Sequence, residues 1–380
     1  MPDKLITEEL REQISKLKAP NIAVIGGTGV GKSTLINSVF GAKLAPTGAG
    51  LPVTNKFVRY PEQDSDNDLP IVIYDSAGYE AGTELFQQKV LDFLQAKQQE
   101  GIDQQIHLVW YIINAASARV TPFEKTILDS INQQGIPAII VLSQCDRASE
   151  EEIRKVGEAL TSFNLNKVYD TIKTAASPLV IRGELICEPF GLEELVDKTS
   201  ELLPKIYTDA VIAIQVVNLQ AKRKVVWKYI YTAAAASFTV GASPLPGTSA
   251  ALIASQTGLC IAIASVYGYK DIAEFLVSIG TVTAFNTLLT AAIGDLLGVL
   301  FPGGGVLTAG ASASYIVVFG LACTAVFENM AKDNLQGKGK EEIKRYLQDS
   351  FKHEFQKYSL LRINSTEQLD IVKNNFLNPS

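Results

Sequence analysis

The sequence predicts an α/β domain with a mostly parallel sheet, followed by an all-α hydrophobic helical domain. Up to about residue 220, short apolar runs such as NIAVIG, PIVIYD and PAIIVLSQ alternate with charged segments of helical period. This alternation is typical of βα units around a buried sheet. After residues 220–228 (QAKRKVVWK) the charges disappear: residues 229–269 contain none, and residues 275–327 contain only Asp295.

The same patterns divide the 380-residue chain into four parts. We expect an N-terminal helix over 1–20, the α/β domain over 21–205, the hydrophobic helical domain over 206–340 and a C-terminal amphipathic helical segment over 341–380. The first part is charged and has no apolar run of the kind that a secretory signal needs. A chain of this length can bury two separate cores.

Composition excludes several classes of function. The net charge of −6 gives no electrostatic case for nucleic-acid binding, so no nucleic-acid partner is expected. The four cysteines are scattered without a C-x-x-C pair, and there are only two histidines. These counts argue against a zinc site and a disulfide framework, and favour a reducing compartment.

A glycine-rich segment separates the first predicted strand from the first helix of the α/β domain. Gly26, Gly31, Lys32 and Ser33 fit the pattern G-x-x-x-x-G-K-[ST]. In such a loop the backbone N–H groups converge on phosphate oxygens, and the helix N-terminus favours the same negative charge. The lysine reaches the β- and γ-phosphates, and the serine hydroxyl ligates Mg²⁺. Rather than a glycine-rich turn without chemical meaning, we predict a nucleoside-phosphate site made by Gly26, Gly27, Thr28, Gly29, Val30, Gly31, Lys32, Ser33 and Thr34.

Three further positions extend this site. Asp75 ends the predicted strand IVIYD and is followed by Gly78, a D-x-x-G match. The acid can hold Mg²⁺ through water, and the Gly78 amide can sense a γ-phosphate. Thr54 lies 21 residues after Ser33 and 21 before Asp75, on a loop that can close on the γ-phosphate and cap the metal. We predict Ser33, Thr54 and Asp75 as metal ligands, and Lys32, Thr54 and Gly78 as the catalytic set.

In this order and at these spacings, the motifs resemble the Era/TrmE-type small GTPases and, more distantly, the immunity-related GTPases, over roughly residues 20–205. The resemblance implies a Ras-like P-loop NTPase fold, GTP and GDP as ligands, and Mg²⁺ as cofactor. It also implies that Asp146 pairs with the guanine edge. The family pattern there is [NT]-K-x-D, whereas this chain reads Ser143, Gln144, Cys145, Asp146.

The departures from the family pattern leave alternatives open. Gln144 replaces the lysine whose stem covers the base, so an NTPase of relaxed base specificity competes with a GTP-specific one. Ala175 and Ala176 are the candidates for the family's small-residue loop at the base. Tyr79 follows Gly78, where Ras-like members use a glutamine to orient water. The resemblance therefore suggests GTP hydrolysis that is slow alone and depends on a homodimer through the G domain, a cation or a partner.

The hydrophobic part predicts a membrane association. Segments 247–269 and 275–294 are uncharged and near the roughly 20 residues that span a bilayer, and 296–327 could hold a third. Basic residues flank the region on both sides, which favours cytoplasmic flanks and a G domain facing the cytoplasm; they are Lys222, Arg223, Lys224, Lys228, Lys332, Lys338, Lys340, Lys344 and Arg345. The alternative is a cytoplasmic helical bundle with a basic linker.

A second resemblance concerns this helical part. Residues 239–268 resemble the P-x-P-G…Q…YG pattern of the YcjF-like family of membrane-associated proteins of uncharacterised function. The matching positions are Pro244, Pro246, Gly247, Gln256, Tyr267 and Gly268. The resemblance implies a helical, partly hydrophobic domain behind a GTPase domain.

The sequence thus predicts a GTP-binding protein that hydrolyses GTP slowly, in a Mg²⁺-dependent switch coupled to a membrane-associated helical domain. A further alternative is a non-enzymatic membrane structural or pore-like protein with a degenerate G domain.

Overall fold

The computed structural model describes residues 18–41, 44–45, 57–62, 70–76, 84–165, 168–240, 258–264, 266–267, 309–333 and 340–378. The chain divides into two compact units with a boundary between Asn218 and Leu219. We call Leu17–Asn218 the α/β unit and the part that begins at Leu219 the helical unit.

The α/β unit is built on a six-stranded sheet of order β2-β3-β1-β4-β5-β6. Its strands are β1 (Asn21–Gly26), β2 (Val58–Tyr60), β3 (Val72–Asp75), β4 (Leu108–Asn114), β5 (Ala138–Ser143) and β6 (Val168–Lys173). Only the β2–β3 pair is antiparallel. Residues of β1, β3, β4 and β5 are almost entirely buried, which explains their continuous apolar runs.

Helices cover both faces of this sheet. They are α1 (Lys32–Phe40), α2 (Glu84–Gln98), α3 (Pro122–Gln133), α4 (Glu150–Thr161), α5 (Leu192–Leu202) and α6 (Lys205–Ile214). Alternate residues of β1 enter different cores: Ala23 and Ile25 pack with α2, α3 and α4, whereas Ile22 and Val24 pack with α1, α5 and α6. The predicted fold class, a mostly parallel P-loop GTPase sheet followed by a helical region, is confirmed.

A small hairpin interrupts the chain between β6 and α5. It consists of β7 (Leu179–Ile181) and β8 (Glu184–Cys187), which pair only with each other among the described strands. Arg182 and Gly183 form its turn at φ values of 53° and 86°, the positive values that a type I′ turn requires. The periodicity of the sequence did not indicate this hairpin.

The helical unit contains α7 (Leu219–Val240), a helical segment at 258–264, α8 (Ala309–Asp333), α9 (Lys340–Tyr358) and α10 (Thr366–Leu377). Helix α8 packs against α7 and α9. Gly320 makes the α7 contact close, because a Cβ there would lie 2.6 Å from the Ile230 side chain. Glu328 of α8 is buried and accepts from the Arg223 guanidinium, at 2.7 Å from Nε, and from the Tyr267 hydroxyl, also at 2.7 Å.

One stretch of the described helices is long and apolar enough to cross a membrane. This is Ala313–Met330, with a mean hydropathy of 1.5, and 89% of it is buried inside the protein. Core helices of soluble proteins have the same properties, so the finding is weak evidence for a span. The predicted segments 247–269 and 275–294 lie largely outside the described residues, as do Pro244, Pro246, Gly247, Gln256, Gly268 and Asp295.

Candidate nucleotide-binding site

The glycine-rich loop connects β1 to α1. Gly29 and Gly31 have φ values of 76° and 92°, the left-handed region that favours glycine, and open space lies where their Cβ atoms would be. Gly26 is constrained differently, since a Cβ there would lie 2.6 Å from the Ile112 carbonyl oxygen. Gly31 caps α1 without a side-chain hydrogen bond, so the helix N-terminus faces the loop with its N–H groups uncapped by a side chain.

Lys32 is folded back over this loop. Its Nζ donates to the carbonyl oxygens of Gly26 and Gly27, each at 3.0 Å, and the side chain is buried. Burial lowers the pKa of Lys32, and the nearby Asp75 carboxylate opposes this shift. The ammonium group is therefore poorly solvated and held within the loop by two backbone carbonyls.

Ser33 and Asp75 meet at the carboxyl ends of β1 and β3. The Ser33 hydroxyl donates to Asp75 Oδ2 at 3.3 Å, and the neighbouring strand pair Val24–Asp75 fixes this approach. Asp75 Oδ1 and Ser76 Oγ are both buried and have no hydrogen-bond partner among the described residues. Burial raises the pKa of Asp75 to about 6, although Lys32 and Ser33 lower it. A buried carboxylate oxygen without a partner, beside a serine hydroxyl, fits the oxygen ligands that Mg²⁺ prefers.

The predicted base-reading segment follows β5 and lies against the glycine-rich loop. Gln144 has a φ of 55°, and its Nε2 donates to the Gly29 carbonyl at 2.9 Å. Ser143 instead donates to the Ile113 carbonyl of β4 at 3.3 Å. The side chain of Asp146 is 6% exposed, and its Oδ2 is 3.6 Å from Arg147 Nε. Gln144, and not Ser143, joins this segment to the phosphate loop.

The small-residue loop after β6 is hydrogen-bonded to the end of β5 and to the predicted base-reading segment. The Thr174 amide donates to the Leu142 carbonyl at 2.7 Å, and the Thr174 carbonyl accepts from the Cys145 amide at 3.1 Å. These bonds place Ala175 and Ala176 beside the base-reading segment. The Ser38 hydroxyl of α1 donates to the Ala176 carbonyl at 2.6 Å. Sequence reasoning missed Ser38 and Thr174, although a threonine directly after the strand Val168–Lys173 was a usable signal.

Most predicted site residues come together at the carboxyl edge of the sheet. These residues lie at the carboxyl ends of three parallel strands: the loop 26–31 with Lys32 and Ser33 follows β1, Asp75 ends β3, and the segment with Gln144 and Asp146 follows β5. Thr34 lies one residue further along α1, and Val30 packs beside Gly26. Thr54 and Gly78 lie outside the described residues.

Comparison with known families agrees with this arrangement. Residues 21–144 match the family model described as 50S ribosome-binding GTPase. This part of the chain is a small-GTPase G domain. The match ends at Gln144 and does not extend into the helical unit.

Curated relatives of the G domain point the same way. The chain is 27% identical over 195 residues to GTPase Era of Caldicellulosiruptor saccharolyticus, covering 50% of this chain and 59% of that protein. It is 28% identical over 190 residues to GTPase Era of Thermotoga maritima, covering 50% of this chain and 57% of that protein. The match to the probable GTP-binding protein EngB of Aquifex aeolicus is 29% over 136 residues, covering 36% of this chain and 72% of that one. The chain therefore spans less than two thirds of the Era proteins that it matches.

Among solved structures, a probable GTP-binding protein engB is similar at 18% identity and a TM-score of 0.35, over 48% of this chain and 97% of that chain. The resemblance of the helical part to the YcjF-like family, and the distant one to immunity-related GTPases, stay predictions.

Proposed function

We propose that the G domain binds GTP with Mg²⁺ and hydrolyses it slowly. The observation that supports this most directly is the pairing of Ser33 with Asp75, whose second carboxylate oxygen is buried and has no hydrogen-bond partner in the described part of the chain. Lys32 follows the same loop, and the hydrogen bonds that it makes to described residues go to backbone carbonyls. A bound β/γ-phosphate group gives this ammonium an anionic acceptor in place of two neutral ones.

Each residue of the site then has a defined task. The N–H groups at the start of α1 and in the glycine-rich loop orient the phosphates, and Lys32 stabilises the charge that develops on their oxygens during transfer. Ser33 and Asp75 would hold Mg²⁺. When bound, the metal neutralises phosphate charge. The predicted roles of Thr54 and Gly78 in closing on the γ-phosphate are part of the proposal.

Nucleotide competition tests this function. Fluorescently labelled GTP should bind in the presence of Mg²⁺ and be displaced by GTP and GDP far better than by ATP. Lys32→Ala should abolish binding, whereas Lys125→Ala, which removes a surface lysine paired with Asp129 at 2.6 Å, should leave it intact. Retained binding by Lys32→Ala would contradict the assignment. Absence of Mg²⁺-dependent phosphate release, with binding intact, would favour the alternative of a degenerate G domain.

The contact of Gln144 keeps a second candidate function open, an NTPase of relaxed base specificity. A glutamine has no positive charge to place over the plane of the base. Here its side-chain amide also donates to the Gly29 carbonyl. The guanine edge is then read by Asp146 alone. If Asp146→Ala removes the preference for GTP over ATP, the G domain is guanine-specific. Equal displacement of label by ATP and GTP in the unaltered protein would establish the relaxed NTPase instead.

The switch is proposed to act on a membrane-associated helical unit with the G domain in the cytoplasm. Support comes from the uncharged runs of the sequence and from the basic residues on both sides of them. In the structure, the apolar helix Ala313–Met330 is compatible with this proposal but equally with a buried core helix.

A further inference from the structure

The predicted base pocket contains one cationic side chain. Two stretches make up this pocket: residues 143–148, which follow β5, and residues 174–176, which follow β6. Arg147 is the only lysine or arginine in these two stretches. Gln144, which lies three residues earlier, is uncharged. A positive charge that these stretches offer to a bound base therefore comes from Arg147.

The backbone fixes Arg147 beside the carboxylate that is predicted to read the base. Arg147 ends the 3₁₀ turn Cys145–Arg147, and its amide donates to the Gln144 carbonyl at 3.0 Å. The Cys145 amide donates to the Thr174 carbonyl at 3.1 Å and so joins this turn to the second stretch of the pocket. Arg147 Nε lies 3.6 Å from Asp146 Oδ2. The guanidinium is thus placed within a short distance of the acceptor for the base.

The guanidinium remains available to a ligand. The side chain of Arg147 is 58% exposed, whereas that of its partner Asp146 is 6% exposed. Its distance from the carboxylate is that of an ion pair and is too long for a good hydrogen bond, and within the described part of the chain the guanidinium donates no other. Gln144 differs, because its Nε2 already donates to the Gly29 carbonyl at 2.9 Å. A guanidinium is planar, weakly hydrated and able to stack on aromatic rings.

We propose that the Arg147 guanidinium contacts the purine ring of the nucleotide bound at Asp146, and supplies the cation that Gln144 lacks. This inference rests on the proposed function, because it requires a guanine nucleotide whose edge is read by Asp146. The two residues then have separate tasks. Asp146 accepts hydrogen bonds from the edge of the base, and Arg147 is attracted to the π-electrons of its ring.

A comparison of GDP with inosine diphosphate tests the contact in the full-length protein with Mg²⁺. Inosine has the same purine ring system but lacks the 2-amino group, so it offers Asp146 one N–H where guanine offers two. Arg147→Met should weaken the binding of both diphosphates by the same factor, roughly tenfold. A clearly larger factor for GDP than for inosine diphosphate would mean that Arg147 acts through Asp146, and would overturn the proposal.

Three further variants complete the experiment. Arg154→Met removes an exposed arginine of α4 that pairs with Glu158 at 2.5 Å, and this control should leave both affinities unchanged. Arg147→Lys keeps a cation without the planar group and should bind with intermediate affinity. Gln144→Lys/Arg147→Met should recover most of the lost affinity, because it returns a positive charge to the pocket from a neighbouring position.

The remaining outcomes separate this inference from the proposed function. Unchanged affinity in Arg147→Met would refute the contact. Tighter binding would refute it as well, since Arg147 would then compete with the base for Asp146. Failure of Gln144→Lys/Arg147→Met to recover affinity would show that charge is not what Arg147 contributes. In each of these cases the unaltered protein still binds GDP, whereas absence of any GDP and GTP binding would overturn the proposed function and this inference together.

Discussion

At the scale of single residues, Asp75 is a carboxyl group in an electrostatically unfavourable environment. Its carboxyl is buried, one oxygen has no partner among the described residues, and its pKa is raised to about 6. Under the proposed function, a bound cation would stabilise this carboxylate, so part of the protein's stability would be exchanged for affinity at this position.

Asp75→Asn should therefore stabilise the nucleotide-free protein while weakening Mg²⁺-dependent GTP binding. The folded pKa lies above the ordinary value of 3.8, so the stability contributed by the protonated form is complete below about pH 3.8 and is lost as pH rises through about 6. Above that pH we expect the variant to be more stable by on the order of 2 kcal/mol, and the difference should shrink between about pH 6 and 4. Urea unfolding measures this stability difference; it is followed by the fluorescence of the buried Trp110 in a Trp227→Phe background. If the stability difference between the variant and the unaltered protein is the same at about pH 4 as it is above pH 6, the electrostatic explanation is contradicted.

At the scale of elements, the start of α5 sets the position of the small-residue loop that contains Ala175 and Ala176. Gly191 caps this helix at a φ of 76°, and a Cβ there would lie 1.9 Å from the Lys173 carbonyl oxygen. The same stretch includes the backbone pair between Ala175 and Phe190, with both bonds at 3.1 Å. Helix α5 and the loop at Ala175 are therefore held together through main-chain contact.

Gly191→Ala should destabilise the α/β unit by about 2 kcal/mol or more, since it combines a positive φ with a backbone clash. GTP affinity should fall as well, because Ala175 and Ala176 must move. Gly183→Ala is the matched control: its φ is 86°, but its Cβ would meet nothing within 4 Å. We expect the control to lose only about 1 kcal/mol and to keep its affinity. Equal losses of stability in the two variants would show that the contact between residue 191 and the Lys173 carbonyl is unimportant.

The helical unit depends on a buried ion pair between α7 and α8. The side chain of Glu328 is 6% exposed and pairs with Arg223, and the Tyr267 hydroxyl completes the group. Glu328→Ala should cost about 3 kcal/mol, because it leaves a partly buried guanidinium without its partner. Arg223→Met/Glu328→Met should recover much of that loss. Thermal unfolding followed by circular dichroism compares them, and a double variant less stable than Glu328→Ala would contradict this account.

At the scale of the whole molecule, the helical unit is proposed to associate with a membrane. We expect alkaline carbonate extraction to leave the full-length protein in the membrane pellet, whereas residues 1–220, which contain the compact α/β unit, should be released. Release of both would favour the cytoplasmic bundle, and would fit the 89% burial of Ala313–Met330.

The sequence predicted the parts of this molecule that depend on local pattern. The apolar runs predicted a mostly parallel sheet, and the G-x-x-x-x-G-K-[ST] and D-x-x-G matches predicted that Ser33 and Asp75 belong to one site; the order of the strands came from the structure. The contact of Gln144 with Gly29 could not be predicted, because it joins residues far apart through a single side chain at a positive φ. The β7–β8 hairpin was missed because its apolar residues stand in two runs of three, residues 179–181 and 185–187, which are too short for periodicity to distinguish a strand from a loop.

Two hydrogen bonds described above join the ends of the nucleotide site: Gln144 Nε2 to the Gly29 carbonyl, and Ser38 Oγ to the Ala176 carbonyl. Both bonds lie within the protein, so they limit how far the glycine-rich loop and α1 can move from the predicted base-reading segments. If the site binds GDP as proposed, guanosine monophosphate, guanosine and pyrophosphate should each compete poorly with it, because each lacks part of the contacts that the diphosphate makes.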